Sequence, residues 1–361
     1  MNSANTLYTT VTVCQPGSTS NCQIIDHILV DTGSTGLRLL SSQLPTSLNL
    51  PQETTNAGLA VLNCVKFVDH SFLWGPVATA DVVLGGNTAS SVPIQIISGP
   101  TYAYNTLSST CQPSGSPMNT IKALGAKGIL GVGLFLQDCG NRCATPGNGS
   151  YFSCTSSSCS GLAVSMANQL QNPVALFPAD GNGLVVNNGL VVKLPATPST
   201  TSAISGSIYF GVATQSNNSA AGAHLLQTNA VSGDITTVFQ GVSMTNSFVD
   251  SGSNGLYFNS STILTCTNTN LTAFYCPTSA QSLSATMSGT NAAAPVTVAF
   301  SIDNAATILS GAANAVFPTL GGPSGDSTSF DWGLPFFFGK SVVIGFEGRS
   351  STLGSGTYYA F

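Results

Sequence analysis

Asp31 and Asp250 each end an apolar run, and each is followed by a hydroxyl residue, a glycine and a serine. The two surroundings are copies of one another. Ile28-Leu-Val-Asp-Thr-Gly-Ser-Thr-Gly-Leu-Arg-Leu-Leu-Ser-Ser42 recurs as Ser247-Phe-Val-Asp-Ser-Gly-Ser-Asn-Gly-Leu-Tyr-Phe-Asn-Ser-Ser261. From Asp31 to Ser42, seven of twelve positions are identical at an offset of 219 residues, and Thr32 against Ser251 is conservative. A motif placed once in each half implies two related lobes. The carboxylate is the charge that the copies share, which suggests that the two carboxylates meet.

Two adjacent carboxylates cannot both ionise cheaply, so one pKa falls, the other rises and the pair shares a proton. The ionised member can then activate a water while the protonated member polarises a carbonyl. The flanking residues suit that task. Gly33 and Gly252 permit a sharp turn after each strand. Thr32, Ser34, Ser251 and Ser253 supply hydroxyl and backbone donors to orient the carboxylates.

Asp-Thr-Gly-Ser and Asp-Ser-Gly-Ser after hydrophobic strands resemble the two active-site motifs of the pepsin-like aspartic peptidases. The likeness runs over most of the chain, and in detail it is greatest to a bacterial, secreted and largely uncharacterised branch of that clan. The resemblance implies a mostly all-β, bilobal fold with pseudo-two-fold symmetry and few short helices. It implies an N-terminal lobe over 1–202, a C-terminal lobe over 203–361 and a substrate-closing hairpin, the flap, at about 64–86. Trp74 to Val82 looks like the arm that follows the flap, and Asp69-His70-Ser71 lies near its tip. Counting back puts Phe67 where the family usually has a flap tyrosine, and Arg38 where it often has that tyrosine's tryptophan partner. Arg38 is then free to pair with Asp69 in the first subsite.

Gly131, in Gly128-Ile-Leu-Gly-Val-Gly133, resembles the glycine that passes behind the first active-site loop. Gly333, in Phe330-Asp-Trp-Gly-Leu-Pro335, resembles its counterpart behind the second. Glycine there allows one backbone to lie under another. The family usually has an Asp after that second glycine, where this chain has Leu334. Asp331 is thus a candidate third acid that reads more readily as structural.

Ten cysteines in a chain this polar point to disulfides and an oxidising compartment. We expect Cys14–Cys22, Cys64–Cys111 and Cys266–Cys276, with Cys139–Cys159 and Cys143–Cys154 nested in between. Zinc is the rival for the last four, but their spacing is untidy and no histidine lies near. We therefore expect no metal and no cofactor. Export implies a signal sequence upstream of Met1, and a secreted, periplasmic or cell-surface location.

Only 6% of residues are charged, against about 25% in ordinary proteins. A net charge of -5 with eight basic residues leaves no patch for nucleic acid. No apolar run approaches the roughly 18 residues of a membrane span. There is no nucleophile elbow, dinucleotide fingerprint or His-Glu-x-x-His.

Strands are expected over 7–13, 22–30, 88–98, 174–177, 190–194 and 296–302, a helix over 162–170, a linker over 195–202 and a closing strand over 357–361. The functional expectation is a monomeric aspartic endopeptidase acting on extended peptide or unfolded protein, with an acidic optimum. The alternative is a non-catalytic pepsin-like protein that binds peptides, proteins or inhibitors.

Overall fold

The structure is a computed structural model, and it describes residues 3–97, 110–111, 115–179, 183–291, 293–311 and 313–361. The chain divides into two compact units. An N-terminal unit comprises Tyr8–Val30 and Ser34–Pro178. A C-terminal unit comprises Ala179–Phe361 together with Met1–Leu7 and Asp31–Gly33.

Nine strands build the N-terminal unit's sheet: β1 (Tyr8–Cys14), β2 (Cys22–Asp31), β3 (Thr35–Leu40), β4 (Ala60–Lys66), β5 (Phe72–Leu84), β6 (Asn87–Ile97), β7 (Gly128–Val132), β8 (Tyr151–Cys154) and β9 (Cys159–Gly161). Their order is β1-β2-β7-β3-β6-β5-β4-β8-β9, and β1 also pairs with β5, so the sheet folds back on itself. Val, Ile and Thr dominate these runs because branched side chains pack well on a pleated surface. The hairpin expected at 64–86 is β4 and β5, with Cys64 opposite Trp74. Ser98, the last position of the strand expected over 88–98, lies outside the described residues.

The C-terminal unit holds β10 (Gly189–Lys193), β11 (Ser207–Phe210), β12 (Leu225–Gln227), β13 (Ile235–Phe239), β14 (Val242–Val249), β15 (Leu256–Tyr257), β16 (Gln281–Ser288), β17 (Val296–Ile302), β18 (Gly321–Gly322), β19 (Asp331–Trp332), β20 (Ser341–Gly345), β21 (Ser350–Ser351), β22 (Gly354–Ser355) and β23 (Tyr358–Ala360). One sheet runs β11-β10-β20-β23-β12 and another β17-β16-β13-β14-β19-β15-β18. The core of the second is aromatic. Phe330 stacks on Trp332 at 4.2 Å and on Phe258 at 4.7 Å, with Phe239 and Phe300 edge-on to Phe330. Burying such rings stabilises by roughly 2–3 kcal/mol each. The described helices are single turns, such as α1 (Ile121–Leu124) and α2 (Ala305–Ile308).

Several sequence expectations are corrected. The helix over 162–170 is only a 3-10 turn, Met166–Asn168. Leu170 is buried while Met166, four residues before it, is exposed, so no single apolar helix face forms. Buried Gln169 instead spends its amide on Gly140 O and Val164 O, which a regular helix there would forbid. The strand over 174–177 is a 3-10 turn, Pro173–Leu176, because Asn172 Oδ1 accepts from Val174 N and Pro173 occupies the first turn. The 195–202 stretch is not a free tether: Leu194 bridges to Phe338 and Thr201 to Val316.

All ten cysteines are paired, so none is a thiolate for zinc. Cys14–Cys22, Cys64–Cys111 and Cys266–Cys276 form as expected. The nested pairs do not. Cys139 joins Cys143 and Cys154 joins Cys159. The β8–β9 hairpin sets Cys154 directly opposite Cys159, and the 3-10 turn Gly140–Ala144 brings Cys143 back to Cys139. Local geometry thus closes each pair before a nested arrangement is possible.

Candidate functional site

Asp31 is the last residue of β2, and Asp250 follows β14 directly. Asp31 is buried and Asp250 is half-buried in the C-terminal unit, which includes Asp31–Gly33. The side chains of Asp31 and Asp250 are hydrogen-bonded to each other. Backbone amides converge on the same spot. Gly33 N donates to Asp31 Oδ1 at 2.8 Å and to Asp250 Oδ1 at 3.1 Å, while Gly252 N donates to Asp250 Oδ1 at 2.7 Å. Ser253 Oγ donates to Asp250 Oδ2 at 2.8 Å.

The reason for glycine is visible at both turns. A Cβ on Gly33 would stand 2.7 Å from Asp250 Cγ, and one on Gly252 would stand 2.7 Å from Asp31 Oδ1. Each glycine therefore leaves the space that the other motif's carboxyl fills. The hydroxyl residues between are locked reciprocally. Ser251 N donates to Thr32 Oγ1 at 2.9 Å, Thr32 N donates to Ser251 Oγ at 3.2 Å, and Thr32 Oγ1 donates to Val249 O. This lattice fixes the carboxyls through buried bonds with little rotamer freedom.

Each motif is backed by a second backbone. In the N-terminal unit Gly131 lies opposite Gly36, where an added Cβ would fall 2.7 Å from Thr35 N, and Gly133 N donates to Ser34 O at 2.8 Å. In the C-terminal unit a Cβ on Gly333 would lie 2.1 Å from Gly255 O, and Leu334 N donates to Ser253 O at 2.8 Å. In both crossings a glycine lies under the motif and a nearby amide holds the motif's serine carbonyl.

Burial pushes the Asp250 carboxyl well above its ordinary range, and the nearby charges of Asp31 and then Asp331 push it further. A carboxyl so placed holds a proton at pH values where a free one has lost it. Asp331, in β19, is buried and raised to about 8, chiefly by desolvation and also by Asp31, with Ser253 acting in the other direction. Tyr359, in β23, interacts with the Val249 backbone and feels the charges of Asp250 and Asp331. In the sequence, 357–361 reads only as a closing strand. The single polar atom of Tyr359 in a run of aromatic residues is too faint a signal to single it out.

The other candidates lie in the N-terminal unit. Phe67 is half-buried against the core cluster that includes Leu40, Leu73 and Ile97. Asp69 is exposed at the hairpin tip and accepts from Ser71 N and Ser71 Oγ. Trp74 is fully buried and meets Phe152 edge-on at 5.3 Å, so its ring is core rather than contact surface. Arg38 does not pair with Asp69. It is buried with Asp138, Nη2 to Oδ2 at 3.4 Å, and its Nη1 donates to Thr35 O and Gly36 O. Asn63 and the Tyr151 hydroxyl also donate to Asp138, and burial still holds that acid above its usual range. Arg38 is drawn there because Thr35–Leu40 forms a buried strand, whereas Asp69 sits in water.

Arg38→Leu is expected to destabilise the protein by about 3 kcal/mol, since it leaves a buried carboxylate without its cation. Urea unfolding measures this, and the double variant Arg38→Leu/Asp138→Leu should lose less than the sum of the singles.

Among the described residues no cluster of three or more His, Cys, Asp or Glu is arranged to hold a metal, and no helix is long and apolar enough to cross a membrane. No curated protein matches the chain. Among solved structures it is similar to the aspartic proteinase from Irpex lacteus, with a TM-score of 0.52 at 18% identity over 98% of this chain and 93% of that one. The shared feature is the fold: mostly β, pepsin-like in architecture, with few short helices. All 361 residues match the family model described as "Protein of unknown function (DUF3443)", and the chain belongs to that family.

Proposed function

We propose that the protein is an aspartic endopeptidase in which Asp31 and Asp250 activate one water between them. The observation that carries this reading is the reciprocal fit of the two motifs, each carboxyl occupying the space left by the other motif's glycine. The pair carries one proton and one charge. The ionised carboxyl takes a proton from the water, which attacks the scissile carbonyl carbon. The protonated carboxyl gives its proton to the carbonyl oxygen, so a neutral gem-diol forms. A proton then passes from the dyad to the leaving nitrogen, the C–N bond breaks, and an acid and an amine leave with the pair again sharing one proton. Thr32, Ser34, Ser251 and Ser253 hold the carboxyls in place, and Gly131 and Gly333 hold the loops.

The substrate is an extended peptide or an unfolded protein. Five disulfides favour an exported protein, in keeping with the secreted bacterial branch that the motifs resemble. The protein works as a monomer.

The test is cleavage of a denatured protein between about pH 3 and pH 7, with and without a statine-type inhibitor. Turnover at acid pH that the inhibitor stops supports the reading. A folded protein that binds the peptide and leaves it whole would replace it with that of a pepsin-like binding protein.

A further inference from the structure

The stretch Pro195-Ala-Thr-Pro-Ser-Thr-Thr-Ser202 reads in the sequence as a linker, and the reaction just described has no part for it. It is fastened at both ends within the C-terminal unit. Gly339 N donates to Leu194 O at 3.2 Å and to Pro195 O at 3.1 Å, and Thr201 exchanges backbone bonds with Val316 at 3.0 and 3.1 Å. Between these anchors, Ala196, Thr197 and Pro198 line a cavity of about 350 Å³.

Aromatic rings supply the apolar part of its lining. Phe300, Trp332 and Phe336 all face into it. Trp332 and Phe336 lie 5.3 Å apart, and Phe300 meets Trp332 edge-on at 5.7 Å. Each ring is held from behind. Trp332 Nε1 donates to Thr237 Oγ1 at 3.0 Å, and Phe336 belongs to the 3-10 turn Leu334–Phe337, which Pro335 stiffens. Phe300 lies on β17, the edge strand of its sheet. Rings fixed by their neighbours do not collapse into the space, so the cavity is preformed. Its volume is near the lower end of ordinary ligand sites and suits one small molecule. Neither Asp250 nor the turn after it lines the cavity, which makes it a second site in this unit.

Lys340 is the one charged residue of the lining. It is half-buried, with Nζ 4.6 Å from the centre of the Phe336 ring and donating to Phe336 O at 2.8 Å. An ammonium has three hydrogens, and that bond uses one of them. Among the described residues no carboxylate stands within ion-pair distance of it. Acids are not scarce: seven Asp and Glu accompany Lys193, Lys340 and Arg349 between Ala179 and Phe361. Burial disfavours the lysine's charge, and an anion beside it would favour that charge. One ammonium matches a singly charged head group. A doubly charged phosphate would leave a charge unmatched beside apolar walls.

We propose that this cavity binds a small monocarboxylate with an apolar body, its hydrocarbon against Phe300, Trp332 and Phe336 and its carboxylate on the Lys340 ammonium. Such binding uses no group of the carboxyl pair and is independent of peptidase activity.

The test titrates octanoate, octanol and acetate into wild type, Lys340→Gln and Lys340→Arg. Calorimetry measures affinity, and the NMR signal of the Trp332 indole N–H reports the place. Octanoate should saturate wild type with a Kd below about 1 mM and shift the Trp332 signal. Octanol, with the same body and no charge, should bind about tenfold more weakly, and acetate should not saturate. Lys340→Gln should weaken octanoate about tenfold and leave octanol unchanged, whereas Lys340→Arg should stay within about threefold of wild type.

Octanoate that fails to saturate, binds no better than octanol, or leaves the Trp332 signal unmoved would overturn the proposal. So would full octanoate affinity in Lys340→Gln. Tighter binding of a tripeptide ending in phenylalanine, lost when its terminus is amidated, would assign the cavity to a peptide end instead. Melting temperatures establish that the variants are folded. If Lys340→Gln does not fold, the wild-type preference for octanoate over octanol decides.

Discussion

Asp31→Asn and Asp250→Asn are each expected to lower kcat by at least about a thousandfold, with the fold intact. The two losses have different causes. Amide at position 31 cannot take a proton from water. Amide at position 250 can still donate a hydrogen bond but cannot release a proton to a leaving nitrogen. Because Asp250 is raised by burial and by its acidic neighbours, wild-type activity should fall as pH rises through its pKa. The same shift makes a stability prediction of fixed sign. Asp250 stabilises the fold below the unfolded carboxyl pKa, and that contribution is lost as pH climbs through the raised folded value. Asp250→Asn should accordingly melt closer to wild type, or above it, at neutral pH than at acid pH. Steady-state kinetics and calorimetry on the same samples check both. Wild-type turnover in either variant would remove the carboxyl pair from the mechanism.

Gly333→Ala is expected to cost about 3–5 kcal/mol of stability and most of the activity. Its Cβ would lie 2.1 Å from Gly255 O and 2.7 Å from Ser253 O, and both are backbone atoms that cannot swing aside. Relief requires moving the loop that holds Ser253 and Asp250, so kcat should fall even in the fraction that folds. Gly131→Ala meets Thr35 N, Thr35 C and Ser34 C at 2.7–2.8 Å and should lose somewhat less. Gly325→Ala is the control, because nothing lies within 4 Å of its Cβ. Urea midpoints rank the three. An unaffected Gly333→Ala would mean that the backbone behind the second motif is softer than its close packing indicates.

The two Asp motifs and the glycine-bearing segments behind them were readable as local patterns, since an apolar run, a tight turn and a missing Cβ each leave a mark in consecutive residues. So were two of the disulfides. Cys14 and Cys22 flank one hairpin, and Cys266 and Cys276 bracket one excursion. The pairs inside 139–159 were not readable, because nested and sequential closure satisfy the same spacing. Only the β8–β9 register, which sets Cys154 against Cys159, chooses between them. Arg38 found Asp138 rather than Asp69 for a similar reason: a buried guanidinium takes the acid that shares its desolvated interior.

By itself the sequence determined where the two carboxyls stand on the chain, what turns follow them and which glycines permit a second backbone beneath. Those features depend on dihedral freedom and side-chain size, which belong to each residue wherever it sits. Tertiary structure alone decided that Gly33 and Gly252 each make room for the opposite carboxyl, that Asp331 is buried beside the strand that delivers Asp250, and that Arg38 shares its interior with Asp138. Those outcomes depend on burial and on partners far apart in the chain, and the free energy of a charge is set by what surrounds it.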